Sequence, residues 1–453
     1  MTDSADVVVI GMGPGGEEVA GRLAEGGLDV IGIESELVGG ECPYWGCVPS
    51  KMMIRAANLL AEARRIPGMS GASTVDPDWG PVARRIREEA TDDWDDQVAV
   101  DRFEKKGGHF VRGQARLFGP TAVGVGDRRF EARRGIVLAT GGRSWTPPIP
   151  GLADVPFWTN REAIATTTLP RSLLIIGGGA IAVELGQVFA RFGVDVHIVE
   201  VAPHLLPLEE PVPGALLEGV FRAEGIGVHT GAHITRVSYD SSCFELDLGD
   251  QGLLRGERLL VAAGRRPDLS ALGVDTVGLD PAARILATDD RLRVAPGIWA
   301  VGDVTGAGAF THVAMYQAAI AVADILGDPG PVADYRALPR VTFTDPEIGS
   351  VGLSEETARS QGLSIRVGTT QIPSSARGWI HKAGNEGLIK LVEDADRGVL
   401  IGALSVGPAG GEVLGLLTLA VHAEVPTSTL RAMIYAYPTF HRAIDAALED
   451  LES

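Results

Sequence analysis

The feature that most constrains the fold is a pattern that occurs twice: an apolar strand, a glycine-rich turn, a helix, and a second strand that ends in an acid. The first copy is "DVVVIGMGPGGEEVAGRLAEGGLDVIGIES", residues 6–35, and the second is "LLIIGGGAIAVELGQVFARFGVDVHIVEV", residues 173–201. Glycines at such a turn let the backbone approach a pyrophosphate, which binds to the amides at the N-terminus of the helix. The acid lies where a ribose hydroxyl is bound. Each copy therefore predicts a Rossmann-type module that binds an adenine dinucleotide.

The residues that match the pattern are the candidate dinucleotide contacts: Gly11, Gly13, Gly16 and Glu34 in the first module, and Gly177, Gly179, Ala182 and Glu200 in the second. Two adenine dinucleotides that react together are typically a flavin and a nicotinamide. We therefore predict FAD and a nicotinamide coenzyme as cofactors. The carboxylate of Glu200 would accept a hydrogen bond from a ribose 2′-hydroxyl and repel a 2′-phosphate, and no arginine follows it before Arg222. This favours NADH, with NADPH as the alternative.

The composition limits the classes of partner and the location. The chain has 453 residues, 45% of them hydrophobic, and a formal net charge of -19. The negative charge argues against nucleic acids and anionic membrane surfaces as partners. The start of the chain shows no basic region or cleavage site of an export signal, and the apolar segment 413–425 is too short to span a membrane. We therefore expect a cytoplasmic location, where a purely structural disulfide is unusual.

The domain organisation predicted from these patterns is α/β, with two Rossmann-like dinucleotide-binding domains, one for FAD and one for NAD(P), and an α+β C-terminal domain. The segment "GIWAVGDVTG", residues 297–306, returns the chain to the first domain. The C-terminal part carries no nucleotide signature, which indicates a packing or oligomerisation domain. The predicted boundaries are 1–148 and 265–334 for the FAD-binding domain, 149–264 for the NAD(P)H-binding domain, and 335–453 for the interface domain.

Two of the three cysteines lie close together in "GGECPYWGCVPSK", residues 39–51. Fully extended, Cys42 and Cys47 would be about 17 Å apart, but the intervening proline and glycine favour a bent path. Cys47 then lies near a helix N-terminus, where the helix dipole stabilises a thiolate. A zinc site would need a second ligand pair, and Cys243 is remote in the sequence and is expected to be an inert, buried strand residue. A redox-active pair beside a flavin is the favoured interpretation.

Lysine is scarce in this chain, which draws attention to Lys51 at the end of the same motif. A flexible point charge beside a flavin can stabilise negative charge on the reduced ring. A buried lysine needs a carboxylate partner, and Glu184, in the first turns of the helix of the second module, is the candidate. The alternative is an exposed lysine at the start of a helix.

These motifs extend over essentially the whole chain, together with "ATGG" at 139–142 and "PRVTFTDPEIGSVGLSEE" at 339–356. Because of these motifs, the chain resembles the pyridine nucleotide-disulfide oxidoreductases, a family that includes dihydrolipoamide dehydrogenase, glutathione reductase and mercuric reductase. The resemblance implies that Cys42 is the interchange thiol and Cys47 the charge-transfer thiol. It also implies a Lys51–Glu184 pair near the flavin, a homodimer, and an active site that the partner subunit's C-terminus completes. The further cofactor contacts that it implies are Gly40, Glu41, Lys51, Ala115, Thr140, Gly141, Gly264, Gly302 and Asp303.

The C-terminal segment "YAYPTFHRAID", residues 435–445, departs from the family pattern. Where the family's disulfide reductases carry a proton-shuttling His and an orienting Glu, this chain has Tyr437 and Arg442. His441 is one residue away from the Glu position and is expected about 100° away around a helix. A tyrosine hydroxyl can donate a proton at neutral pH but is a poor base. Reduction of an acceptor is therefore favoured over oxidation of a dithiol.

Three functions are compatible with these residues. The favoured one is an FAD-dependent, NADH-oxidising homodimer whose cysteine pair reduces an unidentified disulfide or thiol-reactive acceptor. The second is a diaphorase that passes electrons from the flavin directly to quinones, dyes or oxygen. The third is a carbon-centred reaction like that of 2-ketopropyl coenzyme M oxidoreductase/carboxylase, a family member that also lacks the His.

Overall fold

The computed structural model describes residues 2–451, which pack into two compact units. Unit 1 contains the residues up to Pro49 together with Arg84–Trp145 and Gly264–Asp334. Unit 2 contains Ser50–Ala83, Thr146–Ala263 and the residues from Tyr335 onward. Within the described residues no helix combines the length and the apolar character that crossing a membrane requires.

The strands are, in chain order, β1 Thr2–Ile10, β2 Val30–Glu34, β3 His109–Arg112, β4 Ala115–Leu117, β5 Ala122–Val125, β6 Arg128–Leu138, β7 Arg143–Ser144, β8 Ser172–Ile176, β9 Asp195–Val199, β10 Gly227–His229, β11 Arg236–Tyr239, β12 Phe244–Asp247, β13 Leu253–Gly256, β14 Arg258–Val261, β15 Arg265–Arg266, β16 Arg293–Ala295, β17 Ile298–Ala300, β18 Pro339–Thr342, β19 Glu347–Gly352, β20 Ile365–Gln371, β21 Leu388–Asp394 and β22 Val399–Gly407. The helices are α1 Pro14–Glu25, α2 Glu41–Tyr44, α3 Cys47–Arg65, α4 Gly80–Arg85, α5 Gln97–Lys105, α6 Asn160–Ala165, α7 Ala180–Arg191, α8 Pro211–Ala223, α9 Leu269–Leu272, α10 Thr311–Leu326, α11 Glu355–Ser360, α12 Ala376–His381, α13 Gly410–His422, α14 Thr427–Arg431 and α15 Ala443–Asp450.

Unit 1 is built on a sheet whose strand order is β16-β17-β6-β1-β2-β3, with the β4–β5 hairpin attached to β6. Strand β1 pairs in parallel with β2 and with β6. Its residues Val7 and Val9 face one hydrophobic cluster, and Val8 and Ile10 face another. A parallel strand covered on both faces is apolar at successive positions, which explains the uninterrupted "VVVI" run. Strand β17 pairs in parallel with β6, so the chain returns to this sheet after residue 264.

Unit 2 contains a parallel sheet of order β10-β9-β8-β14 and an antiparallel sheet of order β18-β19-β22-β21-β20. The parallel sheet carries α7 between β8 and β9, as the second glycine-rich pattern predicted. A smaller antiparallel sheet, β11-β12-β13, shares its hydrophobic cluster with β8 and β14. Helices α13 and α15 pack on the C-terminal sheet and bury Leu414, Leu417, Ile444 and Leu448.

The α/β fold class expected from the sequence is confirmed by these parallel and antiparallel sheets. The three-domain division with the boundaries given above stays a prediction. One smaller expectation was wrong: Cys243 is only half-buried and lies immediately before β12 rather than within a strand. The turn that precedes β12 is held instead by the Asp240 carboxylate, which accepts the backbone N–H of Cys243 at 2.8 Å.

Candidate active site

The glycine-rich turn of unit 1 leaves open space at the N-terminus of α1. Gly11 has φ of +92°, and a Cβ there would overlap the carbonyl oxygen of Ala139. Gly16 lies against the carbonyl oxygen of Gly11, so a side chain would push the helix away from the strand. A Cβ on Gly13, in contrast, would meet no heavy atom within 4 Å. The N-cap residue of α1 is Gly13, which has no side chain to cap the helix, so the first N–H groups after Pro14 can face an anion.

The turn in unit 2 repeats this geometry. Gly177 has φ of +108°, and a Cβ at this position would lie 2.5 Å from the carbonyl oxygen of Ala262. A Cβ on Gly179 would meet no heavy atom of the described residues within 4 Å, and this glycine, the N-cap residue of α7, has no side chain to cap the helix. Ala182 is fully buried in the first turns of that helix, so the third glycine position tolerates a methyl group.

The acid at the end of each second strand is bonded to the turn of its own module. Oε2 of Glu34 accepts the backbone N–H of Met12 at 2.8 Å. Oε2 of Glu200 accepts the backbone N–H of Gly178 at 2.5 Å. In both modules the other carboxylate oxygen accepts the N–H two residues further along, at 2.8 Å and 2.7 Å. The two turns, each considered alone, fit a dinucleotide: an uncapped helix N-terminus, open space for a pyrophosphate, and an oriented carboxylate for a ribose.

Asp303 and Glu41, both expected near the flavin, are joined by an arginine that the sequence analysis missed. The guanidinium group of Arg265 lies 3.2 Å from the carboxylate of Glu41 and 3.8 Å from that of Asp303, and it donates to the carbonyl oxygen of Gly142. Burial raises the pKa of Asp303, Arg265 opposes that rise, and Glu41 adds to it. Arg265 directly follows Gly264, a predicted cofactor contact, but its own sequence neighbourhood indicates neither of its two acidic partners.

Apart from Lys51, the remaining candidate flavin contacts lie in unit 1 as well. Gly40 has φ of +64°, and a Cβ on it would lie 2.8 Å from Cα of Gly13, so this glycine lies against the turn before α1. Thr140 and Gly141 follow β6, and Gly302 lies two residues after the end of β17. The other two candidates are Ala115, which is buried in β4, and Gly264, which has φ of +112° and immediately precedes β15.

The two cysteines lie at the ends of a tight bend. Cys42 is half-buried in α2, and Cys47 is exposed as the first residue of α3. A Cβ on Gly46 would lie only 3.7 Å from Cα of Cys42, so the chain folds back on itself before Cys47. Sγ of Cys47 lies 3.4 Å from Oγ1 of Thr311, at the start of α10. Cys47 thus lies at a helix N-terminus, in the environment that stabilises a thiolate.

A cavity of about 670 Å³ opens beside Cys42 within unit 1. Pro43 and Tyr44 of the redox motif also line it. Two cationic side chains, Arg102 and Lys106, face it. The acidic side chains in its lining are more numerous: Glu17, Glu18, Glu88, Glu89, Asp92 and Asp95. Cys42 therefore lies in the wall of a predominantly acidic cavity that is large enough for a molecule of moderate size.

Lys51 and Glu184 form an ion pair in unit 2. Nζ of Lys51 lies 2.9 Å from Oε2 of Glu184, and Oε1 of Glu184 accepts the backbone N–H of Phe343 at 2.8 Å. Nζ also lies 4.6 Å from the centre of the Phe343 ring. The Glu184 side chain is 7% exposed and that of Lys51 is 36% exposed. The lysine is therefore held at one position rather than extending freely into solvent. Phe343 is a partner that the sequence did not indicate.

The C-terminal candidates lie in an irregular turn, not in a helix. Tyr437, His441 and Arg442 all precede α15, so the expected angle of 100° around a helix was wrong, because the helical period does not apply here. Tyr437 is 72% exposed, and the Arg442 guanidinium lies 5.8 Å from the centre of its ring. Arg442 also pairs with Asp445 at 3.1 Å. Nε2 of His441 lies 3.4 Å from the hydroxyl oxygen of Thr439.

Comparisons with known proteins agree over the full chain. Residues 5–318 match the family model described as pyridine nucleotide-disulphide oxidoreductase, and residues 338–448 match the dimerisation domain of that family. The dihydrolipoyl dehydrogenase of Chlorobaculum tepidum is 35% identical over 99% of this chain and 97% of its own. The mercuric reductase of Acidithiobacillus ferrooxidans is 32% identical over 98% of this chain and 82% of its own. Among solved structures, the HOCl-induced flavoprotein disulfide reductase RclA from Escherichia coli has a TM-score of 0.86 and 26% identity, covering 98% of this chain and 99% of that one.

Proposed function

Because this chain belongs to the pyridine nucleotide-disulfide oxidoreductases, enzymes that bind FAD and NAD(P)H, we propose that it is an NADH-dependent reductase whose Cys42–Cys47 pair reduces a disulfide or another thiol-reactive acceptor. The observation that carries the proposal is the position of Cys42, which lines a cavity at one end of the bend that leads to Cys47. FAD, when bound, supplies two-electron transfer between the nicotinamide and the sulfur pair. We expect a cytoplasmic, reducing environment, in which such a pair can cycle.

The cysteines would divide the chemistry between them. The thiolate of Cys42 attacks one sulfur of the acceptor disulfide, a Cys42–acceptor disulfide forms, and the first acceptor thiolate leaves and takes up a proton. The thiolate of Cys47 then attacks the sulfur of Cys42, which reforms the Cys42–Cys47 disulfide and releases the second acceptor thiolate, and this thiolate also takes up a proton. The acceptor gains two electrons and two protons, and the cysteine pair loses two electrons. The position of Cys42 in the cavity wall and that of Cys47 at a helix N-terminus suit these two roles.

Lys51 and Glu184 would provide fixed electrostatics. The carboxylate of Glu184 is held by the ammonium group on one oxygen and by a backbone N–H on the other, which fixes the lysine charge in place. A preorganised cation stabilises negative charge that develops beside it without further reorganisation. In the family resemblance this pair lies near the flavin, and we propose the same role here.

Tyr437 is proposed as the proton donor to the leaving thiolate of the acceptor. It occupies the position of the family's His, and the Arg442 guanidinium faces its ring. A positioned general acid contributes about 10²–10⁴ in rate. Because a tyrosine hydroxyl holds its proton at neutral pH, the site would serve acceptor reduction better than dithiol oxidation.

A homodimer is supported by the match to the dimerisation domain. The same part of the chain presents large apolar side chains to solvent, with Ile434 96% exposed and Trp379 72% exposed. Exposed apolar groups of this size are typical of an interface between subunits. The partner subunit's C-terminal turn would then complete each active site, as in the family resemblance.

The test is an anaerobic titration with NADH, combined with turnover of a small disulfide. A long-wavelength thiolate-to-flavin charge-transfer band should appear, and Cys42→Ser should abolish disulfide turnover. Cys243→Ser is the matched control and should behave like the wild type, because Cys243 lies before β12 in unit 2. A Cys42→Ser enzyme that retains full turnover would instead support the diaphorase, which needs no thiol. Thioether-dependent uptake of carbon dioxide would support the carbon-centred alternative.

A further inference from the structure

Trp94 occupies an unfavourable conformation close to the redox motif. Asp92, Asp93 and Trp94 have φ of +49°, +54° and +60°, three consecutive residues in the left-handed region that residues other than glycine rarely adopt. In addition, Nε1 of Trp94 is buried without a hydrogen-bond partner among the residues that the structure describes. Buried indole N–H groups usually have a partner. Both features oppose the observed conformation, so other contacts must maintain it.

One contact that opposes this strain is a stack between Trp94 and Trp45. Their ring centroids are 5.2 Å apart, and the angle between the ring planes is 21°. Trp45 lies between Cys42 and Cys47, immediately after α2. The stack therefore connects the segment Thr91–Asp96, here called the brace segment, to the bend that joins the two cysteines.

Both ends of the brace segment are anchored by buried polar groups. At its start, the hydroxyl of Thr91 donates to the carbonyl oxygen of Ile86 at 3.0 Å. At its end, the carboxylate of Asp96 accepts the backbone N–H of Val38 at 2.6 Å and two contacts from Arg112, at 2.8 Å and 2.6 Å. Val38 immediately precedes the glycine pair of the redox motif. The brace segment is thus attached to the chain before the motif as well as within it.

The brace segment also forms part of the wall that faces an incoming acceptor. Asp92 and Asp95, on either side of the strained tryptophan, line the cavity that contains Cys42. The same short stretch of chain therefore shapes the cavity and supports the cysteine bend. Because the Trp94 ring lies between the cavity wall and the cysteine bend, it couples the position of the bend to that of the wall.

We propose that Trp94 is a positioning residue for the cysteine pair. By stacking on Trp45, it holds the bend between Cys42 and Cys47 in the geometry in which Cys42 meets the acceptor. The inference rests on the proposed function for the identity of the reacting thiols. Loss of the ring frees the bend between Cys42 and Cys47 to adopt other positions. The stabilisation typical of an aromatic pair corresponds to a change of about 2- to 13-fold in the equilibrium between the observed position of the bend and these other positions.

The experiment compares Trp94→Ala and Trp94→Phe in the FAD-bound dimer, reduced anaerobically with NADH. The first readout is the rate at which iodoacetamide alkylates Cys42, followed by mass spectrometry. The second is the rate of reduction of 2-hydroxyethyl disulfide. Trp94→Ala should change the alkylation rate by about 2- to 13-fold and lower disulfide reduction by a similar factor. Trp94→Phe, which keeps a ring but lacks the N–H, should return both rates to within about twofold of the wild type.

Two controls separate positioning from general loss of structure. The rate at which NADH bleaches the flavin should be unchanged in Trp94→Ala. Trp79→Ala removes a tryptophan that packs on Phe189 and Phe192 in unit 2, and it should leave Cys42 alkylation unchanged. If Trp94→Ala does not fold, Trp94→Leu, which keeps apolar volume without a ring, is measured in the same way with the same expectation.

The proposal is overturned if the alkylation rate is unchanged in Trp94→Ala, or if flavin bleaching in that variant slows as much as disulfide reduction does. It is also overturned if Trp94→Phe is as impaired as Trp94→Ala. A wild-type enzyme that reduces no disulfide overturns the proposed function instead. The alkylation rate does not depend on any acceptor, so it still tests Trp94 in that case.

Discussion

The ammonium group of Lys51 lies 2.9 Å from a carboxylate oxygen of Glu184, whose second oxygen is bound by the backbone N–H of Phe343. The acid is almost fully buried, whereas a third of the lysine side chain is exposed. The charged form of Glu184 therefore depends on its partner more strongly than the charged form of Lys51 does, because solvent can still hydrate the ammonium group.

Replacing Glu184 by Gln should remove the charge while keeping an oxygen for the Phe343 N–H. We expect flavin bleaching by NADH to slow by about 10²-fold, the scale of losing one preorganised electrostatic group. The free energy of unfolding should fall by only about 1–2 kcal/mol, because solvent screens the half-exposed lysine. Stopped-flow absorbance and urea denaturation measure the two effects. Glu210→Gln, in the Lys390–Glu210 pair at 2.6 Å, is the control. It should lose stability but keep the bleaching rate.

Replacing Glu200 by Gln should weaken the preference for NADH over NADPH. The wild-type carboxylate would face a 2′-phosphate with like charge, and the amide would not. We expect the ratio of kcat/KM for NADH to that for NADPH to fall by about tenfold or more, mainly through a lower KM for NADPH. Glu34→Gln, the equivalent change in the first module, should leave this ratio unchanged. A ratio that does not move in Glu200→Gln would contradict the assignment of Glu200 to the nicotinamide coenzyme.

Replacing Tyr437 by Phe should slow disulfide turnover while sparing flavin bleaching. Removal of a positioned acid should reduce kcat for the disulfide by about 10²-fold. The matched control is Tyr435→Phe: burial raises the pKa of Tyr435 to about 12, and its hydroxyl donates to the carbonyl oxygen of Leu430. That variant should lose about 1 kcal/mol of stability but keep turnover. Equal loss in both half-reactions of Tyr437→Phe would count against a role as proton donor.

Replacing Arg265 by Leu should weaken FAD binding by about 10- to 100-fold, since Glu41 and Asp303 lose the cation between them. Equilibrium dialysis against FAD measures the affinity. The adjacent Arg266, whose guanidinium lies 4.0 Å from the centre of the Trp145 ring, is the control, and Arg266→Leu should retain most of the affinity. Retained affinity in Arg265→Leu would show that the two carboxylates are held without it.

The same variant should also change the pH dependence of stability. Burial raises the pKa of Asp303 in the folded chain, so its contribution to stability is present at low pH. It is lost as pH rises from the usual carboxyl range through the raised value. Because Arg265 opposes this rise in pKa, its removal should extend the loss to higher pH. Urea denaturation of the FAD-free protein across this pH range measures how the free energy of unfolding depends on pH. Asp303→Asn should abolish the part of that dependence that comes from Asp303.

The acidic lining of the cavity should favour cationic acceptors. We expect kcat/KM to decrease from cystamine to 2-hydroxyethyl disulfide to dithiodiglycolate, which differ mainly in charge. The differences in kcat/KM between the three disulfides should become smaller as salt is added, because the Debye length falls to about 3 Å at 1 M. A double variant, Glu88→Gln with Glu89→Gln, should also make these differences smaller, since both side chains line the cavity. Glu104→Gln, on α5 but outside the lining, is the control. Faster reduction of the anionic disulfide would contradict this expectation.

The sequence predicted the elements whose signals are local. The two glycine-rich turns and their acids are contained within about thirty residues each, so strand, turn, helix and carboxylate could be identified together. The bend before Cys47 was also indicated by neighbouring residues, namely a proline and a glycine. The pairing of Lys51 with Glu184 was also predicted, because a buried lysine needs a carboxylate partner and Glu184 lies in the first turns of the helix of the second module.

Contacts between distant parts of the chain were not predictable in this way. Arg265 bridges Glu41 and Asp303, which are far apart in sequence, and nothing in its own neighbourhood indicates either partner. The stack of Trp94 on Trp45 depends on a left-handed run of three residues. Aspartate tolerates this conformation, but no local signal indicates that a tryptophan adopts it as well. The angle of 100° predicted for His441 assumed a helical period, whereas His441 lies in a turn before α15, which begins at Ala443.

The hydrogen bonds from Met12 to Glu34 and from Gly178 to Glu200 are formed by the chain alone. Each turn is therefore shaped during folding, and the conformational entropy of its backbone is lost then rather than on encounter with a nucleotide. A ribose and a pyrophosphate would therefore bind to a turn whose backbone is already restrained by the hydrogen bonds of its own module, so less conformational entropy remains to be lost on binding.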